Sequence, residues 1–314
     1  MKQFCFIPFL LCCFYTAFSQ ESAGDLYLRA KEKSGQEKYA EALKLVSKAI
    51  EIDRKNDEYY YLRSVCNREL RHYSDVYSDL NKAISLNPEN GKAYLDRALM
   101  HYNSGNIYSA LNDYNIALKY LREDSLKKSC YCNRSAAKLA LRNFQGAIED
   151  CRLVLSSDSN NITALNNLAR ALDETGKPDD ALRYMQKVLS LDSGISYSYT
   201  NIGFLYLNKG EYSLSVQNFD RALKINPRDA YALNNRGFAK YKLNDTKGGL
   251  KDINLSIKLD PKNSYARRNR ALIYLGEGNK EKACGELEKA RQLGFSETYG
   301  NEVESLIDKN CGKK

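Results

Sequence analysis

Asparagine recurs at a fixed interval of 34 residues, as Asn133, Asn167, Asn201, Asn235 and Asn269, with Asp96 at the preceding place in the series. A side-chain amide offers one acceptor and two donors, the set that clasps the backbone N–H and C=O of an extended peptide whatever its side chains. Asparagine is a mediocre helix-interior residue, so five at one helical position ask for a reason. Aromatic residues keep the same interval beside them: Tyr197, Tyr231 and Tyr265, with Phe204 and Phe238 followed by Leu272. Aromatics are favoured at binding hot spots. Arg267 and Arg268 stand next to the last rung and suit an acidic side chain or a C-terminal carboxylate. Two plainer readings stay open: asparagine as a common residue at this position, and aromatics packed against neighbouring helices.

Catalysis needs titratable groups converging in a pocket. His72 and His101 are the only histidines, and the sequence has no G-x-S-x-G, no phosphate-binding glycine loop and no H-E-x-x-H. No enzyme, cofactor or metal is expected. Cys130 and Cys132 point apart on a helix, so with Cys66 and Cys151 they read as buried thiols whose pairing the sequence leaves open. Cys284 and Cys311 can meet if the chain end folds back. Their separation of 27 residues gives such a bond roughly 3 to 4 kcal/mol in the chain-entropy model.

The elements that must position these residues follow a 34-residue repeat starting at Ala23, Asp57, Gly91, Lys128, Ile162, Ser196, Ala230 and Ser264, with one step of 37. Position 8 of each repeat is small: Ala30, Ser64, Ala98, Ser135, Ala169, Gly203, Gly237 and Ala271. Close helix-on-helix contact demands this. Positions 20 and 27 are small or slim, and Pro88, Pro227 and Pro261 stand where second helices end. Position 7 carries Arg63, Arg97, Arg134, Arg236 and Arg270, and the same repeats carry Asp79, Asp113, Asp150, Asp252 and Glu286 at position 23. A semi-buried arginine needs such a partner, so each pair is expected to bridge the two helices of its repeat. A further amphipathic helix, with Val303, Leu306 and Ile307 on one side, is expected over 298–311 as an end cap, leaving 312–314 as a tail.

Residues 23–297 resemble the tetratricopeptide repeat (TPR) family, whose unit is a helix-turn-helix of this length with small residues at these places. The resemblance implies an all-α fold: a right-handed superhelical solenoid of eight repeats, whose first helices line a concave groove with positions 2, 5, 6, 9, 12 and 13. The asparagine series resembles the repeat region of O-linked N-acetylglucosamine transferase, where a comparable ladder holds substrate chains. Chaperone-binding members use lysines that this chain lacks at position 5, where Tyr61, Leu95, Cys132 and Asn166 stand. Chaperone-tail binding is therefore not expected.

Residues 1–19 read as a signal peptide, with Lys2 basic, Phe4 to Phe18 apolar and Ala17-Phe18-Ser19 as the cleavage site. Export to a periplasm or out of the cell is expected, with the mature chain starting at Gln20. Loss of Lys2 takes the net charge from +9 to +8, spread over many helices, which does not suggest nucleic acid. No stable membrane span is expected. The leading function is binding of other proteins or peptides as extended segments in the groove. A structural spacer or self-associating scaffold is the alternative, and a carbohydrate or surface-polymer binder a weaker one.

Overall fold

A computed structural model describes residues 21–312. The expected signal peptide lies outside the described residues. Among them are eighteen α-helices and no strand. The chain divides into two compact units at Lys127/Lys128, within the first turn of the seventh helix. In the first unit the helices are α1 (Ala23–Gly35), α2 (Tyr39–Ile52), α3 (Asp57–Glu69), α4 (Tyr73–Leu86), α5 (Gly91–Asn103) and α6 (Ile107–Tyr120). The second unit contains α7 (Asp124–Ala140), α8 (Phe144–Ser157), α9 (Ile162–Glu174), α10 (Pro178–Leu191), α11 (Ser196–Asn208) and α12 (Tyr212–Ile225). It continues through α13 (Ala230–Lys242), α14 (Thr246–Leu259), α15 (Ser264–Gly276), α16 (Lys280–Gln292), α17 (Phe295–Tyr299) and α18 (Glu302–Asn310).

Consecutive helices pair, and local chemistry sets their ends. An Asn or Asp just before many first helices accepts from a backbone N–H of the first turn, as Asn90 does from Ala93 and Asn263 from Ala266, both at 2.9 Å. The turn inside every repeat passes through one left-handed residue. Gly105, Gly176, Gly210 and Gly278 take it freely, whereas Glu37, Arg71, Arg142 and Asn244 adopt it with a side chain. The longer step between Gly91 and Lys128 lets α7 start at Asp124 and not at Lys128, making it 17 residues long.

The small positions 8, 20 and 27 form the buried seam between helices, and larger apolar residues such as Leu80, Leu165, Phe219 and Ile253 fill the remaining core. The arginine–acid pairs all form across their repeats: Arg63–Asp79 at 2.6 Å, Arg97–Asp113 at 2.7, Arg134–Asp150 at 2.6, Arg236–Asp252 at 2.7 and Arg270–Glu286 at 2.8. Burial alone would raise the Asp252 carboxyl. Hydrogen bonds from Arg236 and Lys240 outweigh it and hold the group below the ordinary carboxylate value.

The C-terminal cap differs from the single helix expected over 298–311. Gly300, with φ of 86°, breaks it into α17 and α18. Phe295 and Val303 are buried against Ala271, Leu287 and Ala290, closing the last apolar face. Cys284 on α16 and Cys311 after α18 are joined, with Cα atoms 5.6 Å apart. Cys66, Cys130, Cys132 and Cys151 are free and buried, and burial pushes their thiols up to between about 11 and about 12.

Candidate peptide-binding cleft

Within the second unit the first helices of four successive repeats bound a cleft of about 770 Å³. From α9 come Asn166, Asn167 and Arg170, and from α11 Tyr197, Asn201 and Phe204. Tyr231 of α13 also lines it. Asn166 donates from Nδ2 to the Ile162 carbonyl at 3.0 Å and to the Tyr197 hydroxyl. Tyr197 and Tyr231 remain 47% and 44% exposed. Phe204 lies against Tyr231 with ring centroids 6.1 Å apart.

The polar lining is unevenly satisfied. Asn201 is half-buried and makes no side-chain hydrogen bond among the described residues, so its amide is available to a ligand. Arg170 is exposed, and its guanidinium has no hydrogen-bond or ion-pair partner among the described residues. Its charge is felt at the Tyr197 hydroxyl, whose proton is held mainly by burial. Asp173, one turn on, is also without an ion pair, and burial followed by repulsion from Glu174 raises its carboxyl. Glu174 has a partner in Arg142, at 3.6 Å. Burial of the Tyr231 hydroxyl, with Tyr265 and Tyr299 nearby, raises it to about 12. All these phenols are neutral donors near pH 7.

The asparagine series divides between structure and cleft. Asn167 lines the cleft, but its Nδ2 donates to the Cys132 carbonyl at 3.1 Å and the Ser135 hydroxyl at 2.8, tying α9 to α7. Asn235 and Asn269 are fully enclosed. Asn269 donates to Asn234 Oδ1 at 3.0 Å, and Asn235 Nδ2 is buried without a partner. Asn133 is half-buried outside the cleft. Position 6 therefore faces the preceding repeat closely enough for its amide to be used there, and the row is not open from end to end. In the first unit the equivalent place is filled too, because Asp96 accepts from Arg68 at 2.9 Å.

The last aromatic rung is occupied by the chain itself. Tyr265 stacks on Phe295 at 5.9 Å and meets Tyr299 edge-on at 5.1 Å. Arg268, expected to meet a partner's carboxylate, holds Glu302 of α18, with Nε to Oε2 at 3.0 Å. Its guanidinium lies over the rings of Tyr265 and Phe238, at 5.4 and 5.8 Å. Sequence reasoning missed Arg170 and Asp173 as cleft residues. The signal was available: position 9 is apolar in every other repeat from the second onward, as Val65, Leu99, Ala136, Phe204, Phe238 and Leu272.

Paired helices on a small-residue seam, stacked repeat on repeat within each unit, define an all-α repeat solenoid. Family models described as tetratricopeptide repeat match residues 92–123 and 126–193, and one described as TPR repeat matches 203–244. Over those residues the chain is similar to tetratricopeptide repeats. The matches indicate no catalytic family, and TPR proteins bind other proteins or peptides. Among curated relatives, DnaJ protein P58IPK homolog B of Oryza sativa subsp. japonica is 26% identical over 200 residues, 59% of this chain and 42% of that protein. Serine/threonine-protein phosphatase 5 of Homo sapiens is 30% identical over 133 residues, 42% of this chain and 26% of that protein. The chain thus spans less than half the length of these relatives. The solved APC/C hetero-tetramer Cut9-Hcn1 shares the fold at 17% identity and a TM-score of 0.65, over 91% of this chain and 54% of that one. Among the described residues no helix is long and apolar enough to cross a membrane, and no cluster of His, Cys, Asp and Glu is fit to hold a metal ion.

Proposed function

We propose that this protein binds extended polypeptide segments, without catalysing a reaction, in the cleft formed by α7, α9, α11 and α13. The observation that carries this reading is the juxtaposition of an unbonded amide, Asn201, with two half-exposed tyrosines, Tyr197 and Tyr231, in one cleft of about 770 Å³. The amide supplies the backbone contacts and the rings supply apolar area. The reading includes export: residues 1–19 carry the signal pattern, and the Cys284–Cys311 bond suits an oxidising compartment. The partners are then proteins of the cell envelope or the extracellular space.

The test is fluorescence anisotropy with a labelled, permanently unfolded polypeptide whose cysteines are reduced and blocked with iodoacetamide. Binding by the parent and loss of about tenfold or more in a Tyr197→Ala, Asn201→Ala variant of unchanged helicity is expected, since aromatic hot spots cost this much. Equal binding by both proteins overturns the reading. Asn167, Asn235 and Asn269 are left intact because their substitution would disturb packing. Exposed Tyr73, Tyr77 and Tyr108 on α4 and α6 favour a second reading, in which the outer helices of the first unit meet a scaffold partner or a second copy.

A further inference from the structure

The C-terminal cap shows what one rung of this surface accepts. Tyr299 and Glu302 belong to a single stretch of chain interrupted only by Gly300 and Asn301. The aromatic ring meets Tyr265 edge-on, and the carboxylate is held by Arg268, itself lying over Tyr265. Tyr265 occupies the same repeat position as Tyr197 and Tyr231, so the chain's own segment covers the last member of a series whose earlier members are exposed. An arginine is again present beside one open member, Tyr197, though it comes from the preceding repeat and not from the position of Arg268, where Thr200 and Asn234 stand. Arg170 reaches the neighbourhood of the Tyr197 hydroxyl, yet no carboxylate of the chain meets it among the described residues. A guanidinium left unpaired in a partly enclosed cleft offers planar, two-pronged recognition to an acid.

We infer that the cleft's partner is a peptide segment carrying an aromatic side chain and a nearby carboxylate, the ring seating on Tyr197 and Tyr231 and the acid on Arg170. The inference rests on the reading of this cleft as a peptide site and gives it a specificity. Asp173 sharpens the prediction, because an acid one turn from Arg170 opposes a negative ligand.

The probe is a fluorescein-labelled synthetic peptide of residues 296–305, which contains Tyr299 and Glu302, added to the full chain with its disulfide intact. The parent protein should bind it. The peptide variants Tyr299→Ala and Glu302→Gln should each bind about tenfold more weakly, as loss of a charge-assisted contact or an aromatic anchor implies. Arg170→Ala in the protein should weaken the parent peptide equally and make it indifferent to Glu302→Gln. Arg170→Lys should fall between, and Asp173→Asn should strengthen binding by about threefold. Arg170 is exposed on α9, and an unchanged melting temperature confirms that its substitution leaves the fold intact. If the unfolded polypeptide binds through Tyr197 and Asn201 while the peptide of 296–305 binds no better than its Glu302→Gln form, the aromatic-acid specificity is wrong and the peptide cleft stands. If neither probe binds, both are wrong.

Discussion

Gly237→Ala separates what the repeat pattern advises from what the packing permits. Four repeats carry alanine at this position, as Ala30, Ala98, Ala169 and Ala271, and alanine in a helix is favoured over glycine by about 1 kcal/mol. Pattern and propensity therefore both predict stabilisation. The tertiary contact predicts the opposite. A Cβ at Gly237 would lie 2.7 Å from the Gly249 carbonyl oxygen, 2.7 from Ile253 Cγ1 and 3.2 from Asp252 Cβ. The first is backbone and the second belongs to a fully buried side chain, so neither yields cheaply. In the alanine repeats the opposing residue is also alanine, for example Ala42 and Ala110, whereas here the two glycines let α13 and α14 approach backbone to backbone. Overpacking costs about 1–3 kcal/mol, and the upper part of that range, about 2–3, applies where a close contact is backbone, so the propensity gain leaves a net loss of about 1–2 kcal/mol. Repeat arrays open locally, so the assay is hydrogen exchange of α13 and α14 amides in the full chain, where the loss appears as roughly 5- to 30-fold lower protection. Unchanged or increased protection, or a higher melting temperature, would refute the reasoning.

Two further perturbations test the ion pairs and the cap. Asp252→Asn leaves Arg236 with only Asp220 and strips Lys240 of its acid, an expected loss of about 1–3 kcal/mol at pH 7, below the full cost of breaking a buried pair because both cations are partly exposed. Because the folded Asp252 carboxyl lies below 3.8, its contribution is complete above that pH and fades as pH falls through the folded value. The stability gap between parent and variant, measured by urea unfolding, should close in that acid range, and a gap that widens there contradicts the assignment. Cys311→Ser removes a link across 27 residues, worth roughly 3 to 4 kcal/mol in the chain-entropy model. Faster exchange should be confined to α16, α17 and α18, and exchange unaltered there would show that apolar packing alone holds the cap.

The sequence by itself determined the helix pairs, their small-residue seam and the arginine–acid bridges. Each of these depends on residue type at a fixed spacing within one repeat, and the 34-residue period repeats the information eight times. The left-handed turn was half visible, since glycine marks it in four repeats while Glu37, Arg71, Arg142 and Asn244 conceal it in the others. Tertiary structure alone decided which groove groups are free. Asn201 and Asn235 share a residue type and a repeat position, yet one amide is open to the cleft and the other is enclosed. Arg268 and Arg170 are both arginines beside aromatic residues, and only the first meets Glu302, because Gly300 turns the chain end back onto it. A hydrogen-bonding group becomes a binding group only when its neighbours leave it unsatisfied and accessible, and that depends on how closely adjacent repeats and the cap approach, a distance no single repeat encodes.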